Sequence, residues 1–598
     1  MFRVVKKCVK SKFFKNFYST SVTEHNPPQH ELLDFEYKIV RPFSKDMLMN
    51  RFNLDIFVYP EIDNNADLDR VNILSEKLQT LLQLLNETTE EQKRQKIFEQ
   101  LSHSGIFGLC ATELYHGHNY NNMMQAKIME VVSNDIQYFC DHFIPRNLAC
   151  QAFVLGAKEQ QKERFLTDMV LGNIKVAVAI NDYANAFTRP EDILTSAVYD
   201  AENKEFVVNG RKIGLSGICG VEYIIVFAKT GSFELSPLVI DMKSPGITVN
   251  SHSNDLTTYD LELVNVRVPT SNLLNNIPGN ELARKLATVS HYGVSSACSQ
   301  LIRELMKKAN DHVFNRSIFG RPLMNYEVIH HNFALFTDAA YTAESLAFFV
   351  AGFVDVFPSY DTYIESCLAK VSSLKALQEA VDLCVRVMGM RTFSTEDPEL
   401  SKTFNSCQFL LRNQLSSLEI RIGATKEALE YLETNLKKES ILNKSLLKIN
   451  LFNTYCVIEG KYYLDSFAHN LHQRVGHFAD PLFPELRKLH FYLEKLIKNP
   501  EMMKEEDILM TLSDIWIDVF TFVVVLTRAS RSISIGLRNH ELEVQLVEFH
   551  ANRKIIMIQK KISYLQEIYD NIENDRESVK RLREIGGYFI DPHFVQSA

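Results

Sequence analysis

A single tryptophan and ten cysteines without one Cys-x-x-Cys spacing already narrow what this 598-residue chain can be. Missing Cys pairs argue against a zinc knuckle and against a disulfide ladder, and they fit a reducing compartment. Low-complexity sequence is absent. The strongest apolar run, 519–526 with Thr521 inside it, is too short to span a bilayer and reads as part of a buried helix. What is present is ordinary globular material: 46% hydrophobic and 23% charged residues, enough chain for several domains each with its own core. The 39 phenylalanines form a bulky apolar inventory suited to helix packing.

Acidic residues are missing from the first 23 positions, whereas Arg3, Lys6, Lys7, Lys10, Lys12 and Lys15 alternate with Val4, Val5, Phe13, Phe14 and Phe17. This is the pattern of a mitochondrial transit peptide over 1–22, with Phe17-Tyr18-Ser19 similar to a matrix-protease site. A basic nucleic-acid or membrane arm is the other reading of such a run. Removing those six positive charges takes the formal net charge from -9 to -15. An acidic mature chain has no basic footprint for nucleic acid. The expected address is the mitochondrial matrix or the matrix face of the inner membrane, with peripheral membrane association.

The hydrophobic period divides the rest. Over 65–175, Ile73, Leu74, Leu78, Leu81, Leu82, Leu84 and Leu85 recur at helical spacing, which predicts a helical domain placed at 45–175. From 176 to 280 the period falls to two, in short runs such as Val176-Ala177-Val178-Ala179-Ile180 and Tyr223-Ile224-Ile225-Val226-Phe227-Ala228. Helical patterns return over 281–435, and 436–598 adds a segment with helical spacing and no convincing strand signal. The fold class is mainly α with a small central β domain.

Several segments, in order, resemble the acyl-CoA dehydrogenase family. Gly105-Ile106-Phe107-Gly108-Leu109 is similar to its "GLFGL" segment and Gly156-Ala157-Lys158-Glu159-Gln160-Gln161-Lys162 to its "GTEEQK" turn. Asn265-Val266-Arg267-Val268-Pro269 resembles the end of its β domain, and Asn315-Arg316-Ser317-Ile318-Phe319-Gly320 its "R-x-Q-F-G" loop. The sequence beyond 435, with Thr527-Arg528-Ala529-Ser530-Arg531-Ser532-Ile533-Ser534-Ile535-Gly536-Leu537-Arg538, resembles the branch with a C-terminal extension, the very-long-chain enzymes and family member nine. The resemblance implies an α domain, a barrel-like β domain, an α bundle and a helical extension, assembled as a homodimer. It also implies an FAD-dependent oxidation of fatty acyl-CoA.

The residues for that chemistry are largely missing. Abstraction of an α-proton needs a carboxylate within hydrogen-bond reach. Where the family carries its base, this chain has Arg421 or Gly423, depending on register, and at the alternative position on the earlier helix it has Ser290. None is a carboxylate. Glu419 and Glu427 sit about one helical turn away and read as solvated helix charges, and His291 reads as a packing histidine. No catalytic residue is therefore assigned, and no metal site.

The FAD motifs that the resemblance implies are degraded too. Asn181-Asp182-Tyr183-Ala184-Asn185-Ala186-Phe187 and Gly214-Leu215-Ser216-Gly217 replace the flavin-lining segments, and Gly389-Met390-Arg391-Thr392 replaces a Gly-rich turn. Ser216, Arg316 and Phe319 remain as cofactor-binding candidates, and no G-x-G-x-x-G offers another dinucleotide site. The resemblance to member nine implies an inactive homologue acting in respiratory complex I assembly with proteins such as ECSIT. The alternative is an active dehydrogenase with a displaced base. Arg528, Arg531 and Arg538 are spaced to share one helical face, either as an internal anchor or as a docking stripe.

Fused to a reporter, residues 1–22 should carry it into mitochondria, and the chain lacking them should stay in the cytosol. Mitochondrial import of the truncated chain, read by fractionation, contradicts the transit-peptide assignment.

Overall fold

The computed structural model describes residues 43–48 and 58–573, apart from 63, 89, 183–188, 190–191, 232–233, 252–257, 394–397, 414–416, 447–467 and 500–501. The basic leader at 1–22 and the stretch Tyr183 to Phe187 thus lie outside the described residues.

A first group of helices comprises α1 (Phe43–Leu48), α2 (Asn65–Glu87), α3 (Glu91–His103), α4 (Asn122–Val132), α5 (Ile144–Gly156) and α6 (Glu159–Leu171). In α2 the side chain of Asn64 caps the helix by accepting from the Ala66 amide. Val71, Leu74, Leu78, Leu81, Leu82 and Leu85 form its buried stripe. Ile73 and Leu84, which also match helical spacing, are 69% and 45% exposed, because at about 100° per residue they fall outside that stripe.

The chain turns to strand at β1 (Val176–Ala179) and continues through β2 (Ser196–Asp200), β3 (Glu205–Ser216), β4 (Tyr223–Lys229), β5 (Leu235–Asp241), β6 (Ile247–Ser251) and β7 (Thr258–Pro269). The sheet order is β1-β4-β2-β3-β7-β6, with β5 paired to β4. β1 runs parallel to β4, whereas β3, β7 and β6 form antiparallel ladders. Side chains of a strand alternate between faces, and β4 buries both: Ile225 and Phe227 join the helical core, while Ile224, Val226 and Ala228 join the core of the sheet. That strand fastens the β layer to the helices. The sequence pattern misses β2 and β6. β6 is an edge strand whose residues are mostly exposed, so it lacks the buried alternation that betrays a strand.

Buried beneath the sheet, the Lys212 ammonium lies 2.6 Å from Asp182 Oδ1 and donates to the carbonyls of Ile180 (2.8 Å) and Phe227 (2.7 Å). Asp182 in turn accepts from the amides of Leu194 and Thr195 and from the Thr195 hydroxyl. Burial pushes the lysine down to about 8, partly offset by Asp182. The pair ties the end of β1 to β3 and β4.

The second helical body comprises α7 (Gly279–Asn315), α8 (Glu327–Val356), α9 (Tyr363–Met388), α10 (Pro398–Asn413) and α11 (Ser417–Leu446), with the short hairpin β8 (Ser317–Ile318) and β9 (Arg321–Pro322) after α7. The extension adds α12 (Leu482–Lys498), α13 (Glu506–Ile535) and α14 (His540–Glu573). Both α8 and α13 are long and apolar enough to cross a membrane, but 72% and 89% of their most apolar windows are buried inside the protein, which makes them core helices. The run at 519–526 lies within α13 and is buried throughout.

The arginine face on the extension is corrected by this packing. Helix α13 stops at Gly536, whose φ of 69° is left-handed, so Arg538 lies beyond the helix and cannot share its face. Arg528 lies 3.3 Å from Glu344 and stacks 4.2 Å from the Tyr341 ring centre, and Arg531 pairs with Glu61. Trp516 adds a hydrogen bond of 2.8 Å to the Ser44 carbonyl. Arg528 and Arg531 are internal anchors.

Breaking the buried pair in the β layer isolates a charge, so Lys212→Met should lower stability by about 3–5 kcal/mol in urea unfolding. The double variant Lys212→Met/Asp182→Asn should lose less than the single one. Equal losses would show that the lysine matters only for packing.

Candidate functional site

Where the first helices, the sheet and the second helical body meet, a pocket of about 190 Å³ opens. Phe139, Cys140, Ile144, Pro145 and Leu148 form one wall, and Val178, Ile180, Asn181, Gly214, Leu215 and Ser216 come from the sheet. Helix α7 supplies Leu286, Ala287, Ser290, His291 and Val294, α9 supplies Lys370, and α11 supplies Ile420. Among the described residues, no carboxylate lines it.

The positions assigned to a base separate accordingly. Ser290 faces the pocket. Arg421 turns away, pairing with Asp514 at 2.6 Å and donating to the Met510 carbonyl on α13, while its neighbour Ile420 lines the pocket instead. Glu419 is exposed, as expected of a solvated helix charge. Glu427 is not solvated. Its oxygens receive Arg284 Nη1 and Nη2 at 3.2 and 3.1 Å, and Lys45 Nζ at 2.6 Å. Burial would raise this carboxyl, but Arg284 and Lys45 outweigh it and hold it below the usual glutamate range. Tyr363 lies under the same guanidinium, 4.4 Å from its ring centre, and Asp361 lies 2.7 Å from its Nε.

His291 is satisfied within α7 and α9. The Ser366 hydroxyl donates to the Tyr363 carbonyl at 2.6 Å, so at the 2.9 Å contact between Ser366 Oγ and His291 Nδ1 the imidazole is the donor. Nε2 is then the acceptor of a neutral ring. Burial, reinforced by Lys370, holds His291 well below its ordinary range, which makes it a weak base at neutral pH.

Of the three cofactor candidates, the fold brings only Ser216 to the pocket. Arg316 and Phe319 stand at the β8–β9 hairpin, with Phe319 98% exposed and φ at 50°. Gly214, also lining the pocket, has a φ of 63°, and a Cβ there would meet nothing within 4 Å. It falls at a register shift in the β3–β7 ladder between Lys212 and Leu215. At the Gly389 turn, Thr392 Oγ1 donates back to the Gly389 carbonyl and Arg391 contacts His312 Nδ1 at 2.9 Å.

Sequence reasoning missed Lys370. The signal was present: a lone cation inside Cys367-Leu368-Ala369-Lys370-Val371, a run with apolar residues on every side.

Glu427→Gln should remove a counter-charge shared by Arg284 and Lys45 and lower stability by about 2 kcal/mol at pH 7. A carboxyl whose folded value is depressed contributes fully above its unfolded value, near 4.3, and loses that contribution as pH falls through the folded value. The difference in urea midpoint between the natural chain and Glu427→Gln should therefore shrink below pH 4. A difference that stays constant from pH 7 to pH 3 removes Glu427 from the ion-pair role.

Comparison with known proteins matches this architecture segment by segment. Residues 73–173 match the family model described as acyl-CoA dehydrogenase, N-terminal domain, and 279–411 match acyl-CoA dehydrogenase, C-terminal domain. Residues 468–585 match ACAD9/ACADV, C-terminal domain. The chain is 24% identical over 584 residues to the mitochondrial very long-chain specific acyl-CoA dehydrogenase of Homo sapiens, covering 92% of this chain and 88% of that protein. It is 24% identical over 305 residues to a 3-(aryl)acrylate reductase of Clostridium sporogenes, covering 49% of this chain and 80% of that one. Among solved structures, an acyl-CoA dehydrogenase from Bacillus anthracis complexed with FAD superposes with a TM-score of 0.66 at 18% identity, over 86% of this chain and 90% of that chain. From the segment order, the sheet flanked by two helical bodies and these matches together, the chain belongs to the acyl-CoA dehydrogenase family, in the branch that carries the ACAD9/ACADV C-terminal domain.

Proposed function

We propose that this protein is a mitochondrial acyl-CoA dehydrogenase homologue that has lost dehydrogenase chemistry and acts as a scaffold in respiratory complex I assembly. The observation that carries the first half is the lining of the central pocket, where among the described residues the titratable groups are Cys140, His291 and Lys370 and no Asp or Glu is present. A neutral imidazole held well below its usual range and a lysine are poor substitutes for a carboxylate placed against an α-proton. Glu427, about one helical turn past Gly423, is held by two cations.

The Bacillus anthracis relative was solved with FAD. We infer that the described residues around this pocket are a poor fit for a flavin ring. Its volume of about 190 Å³ falls below the ~300–1,000 Å³ usual for cofactor-sized ligands. The segment that replaces a flavin-lining stretch begins at Gly214, which has no side chain to pack, and the turn at 389 carries Arg391 and Thr392 side chains engaged within the chain. We read FAD as weakly held or lost.

Support for the scaffold half comes from the extension. Residues 468–585 match the ACAD9/ACADV C-terminal domain, and the human relative is named as mitochondrial. Surface on that extension excludes Arg528 and Arg531, which are engaged internally. Phe319 and Met390, 98% and 90% exposed on the single chain, are large apolar side chains of the kind that association buries.

The purified mature protein should lack the flavin absorbance spectrum and should turn over no acyl-CoA, short or long. Gly423→Glu should restore little, because the ring contacts are altered as well. Co-purification from mitochondria should recover complex I assembly proteins. A yellow protein with robust turnover overturns the first half, and a folded, abundant protein that recovers none of these partners overturns the second.

A further inference from the structure

Lys370 is 4% exposed, lines the central pocket and, among the described residues, makes no ion pair and no hydrogen bond. Its titratable neighbours do not compensate it. Cys367 and Cys298 are pushed up by burial and stay protonated at neutral pH, while burial and the lysine itself keep His291 neutral. Lys212, equally buried, has Asp182 and two carbonyls. An isolated ammonium removed from water costs several kcal/mol, and buried charges in proteins are normally paired.

The rest of the pocket specifies what kind of partner could pair with it. Leu286, Val294, Ile144 and Ile420 give apolar wall, while Ser216 and Ser290 add hydroxyls. A phosphate would need many more donors than this to replace its water. An anion with an apolar body matches both parts. At about 190 Å³ the pocket lies below the ~300–1,000 Å³ usual for drug-sized ligands, so the occupant is small.

We propose that the central pocket binds a short-chain monocarboxylate, its carboxylate paired with the Lys370 ammonium and its chain against the apolar wall. This adds a ligand to the pocket and stands whether or not turnover is lost, since it requires binding and no bond change.

The test uses the purified full chain in thermal unfolding and calorimetric titration, with sodium butyrate, butan-1-ol and sodium chloride as probes. Butyrate should raise Tm saturably, and the alcohol and chloride at equal concentration should not. Lys370→Met, which keeps the stem and removes the charge, should weaken butyrate at least about 10-fold while raising Tm without ligand. Ile420→Phe, which fills the pocket and keeps the lysine, should also lose the butyrate response and serves where Lys370→Met does not fold. An equal shift with butan-1-ol (apolar filling only), an equal shift with chloride (an unspecific anion site), or butyrate binding that survives either substitution overturns the proposal.

Discussion

The grip of Arg284 on Glu427 is the constraint on which the centre of this protein depends. The guanidinium reaches from α7 to α11, lies over Tyr363 of α9 and meets Asp361, while Lys45 of α1 closes the other side of the carboxylate. One ion-pair cluster thus joins four helices around the pocket. It also fixes the pocket's chemistry, because a carboxylate held by two cations points where they hold it and is a weakened proton acceptor. On the same helix, Ile420 is the residue that lines the pocket.

The extension has the same character. Asp518 on α13 receives Lys554 at 2.8 Å and also pairs with Lys561, both from α14, and His550 and Arg553 of α14 meet Asp338 of α8 at 2.6 and 3.0 Å. Arg528 binds Glu344. Charges that could have formed a docking stripe are instead the means by which α13 and α14 are held to the bundle. Half-buried arginine suits this, since its planar fork keeps several donors engaged while its stem packs on aromatic rings. The scaffold reading then rests on the pocket and on the family branch, without those arginines.

Fold class was legible because it is written in period. Alternation over 176–180 and 223–228 becomes β1 and β4, and the stripe through Leu74, Leu78 and Leu81 becomes the buried face of α2. Edge strand β6 was not legible, since its exposed side chains have no buried alternation to display. At the site, the absence of a carboxylate at 290, 421 and 423 could be read directly. The ion-pairing of Glu427 could not, because its partners Lys45 and Arg284 lie 382 and 143 residues away in the chain.

The sequence by itself determined which side chains are available: helix, strand and extension in order, no acid at the expected base positions, and a lysine within an apolar stretch of α9. Tertiary structure alone decided which charges are paired. Lys212 and Lys370 are both buried, yet among the described residues only the first has a carboxylate beside it, because Asp182, three residues past β1, bridges to β3 while the elements around Lys370 contribute thiols, an imidazole and aliphatic wall. Pairing depends on which distant segments meet, and in a chain of this length that is set by packing of layers rather than by neighbours in sequence.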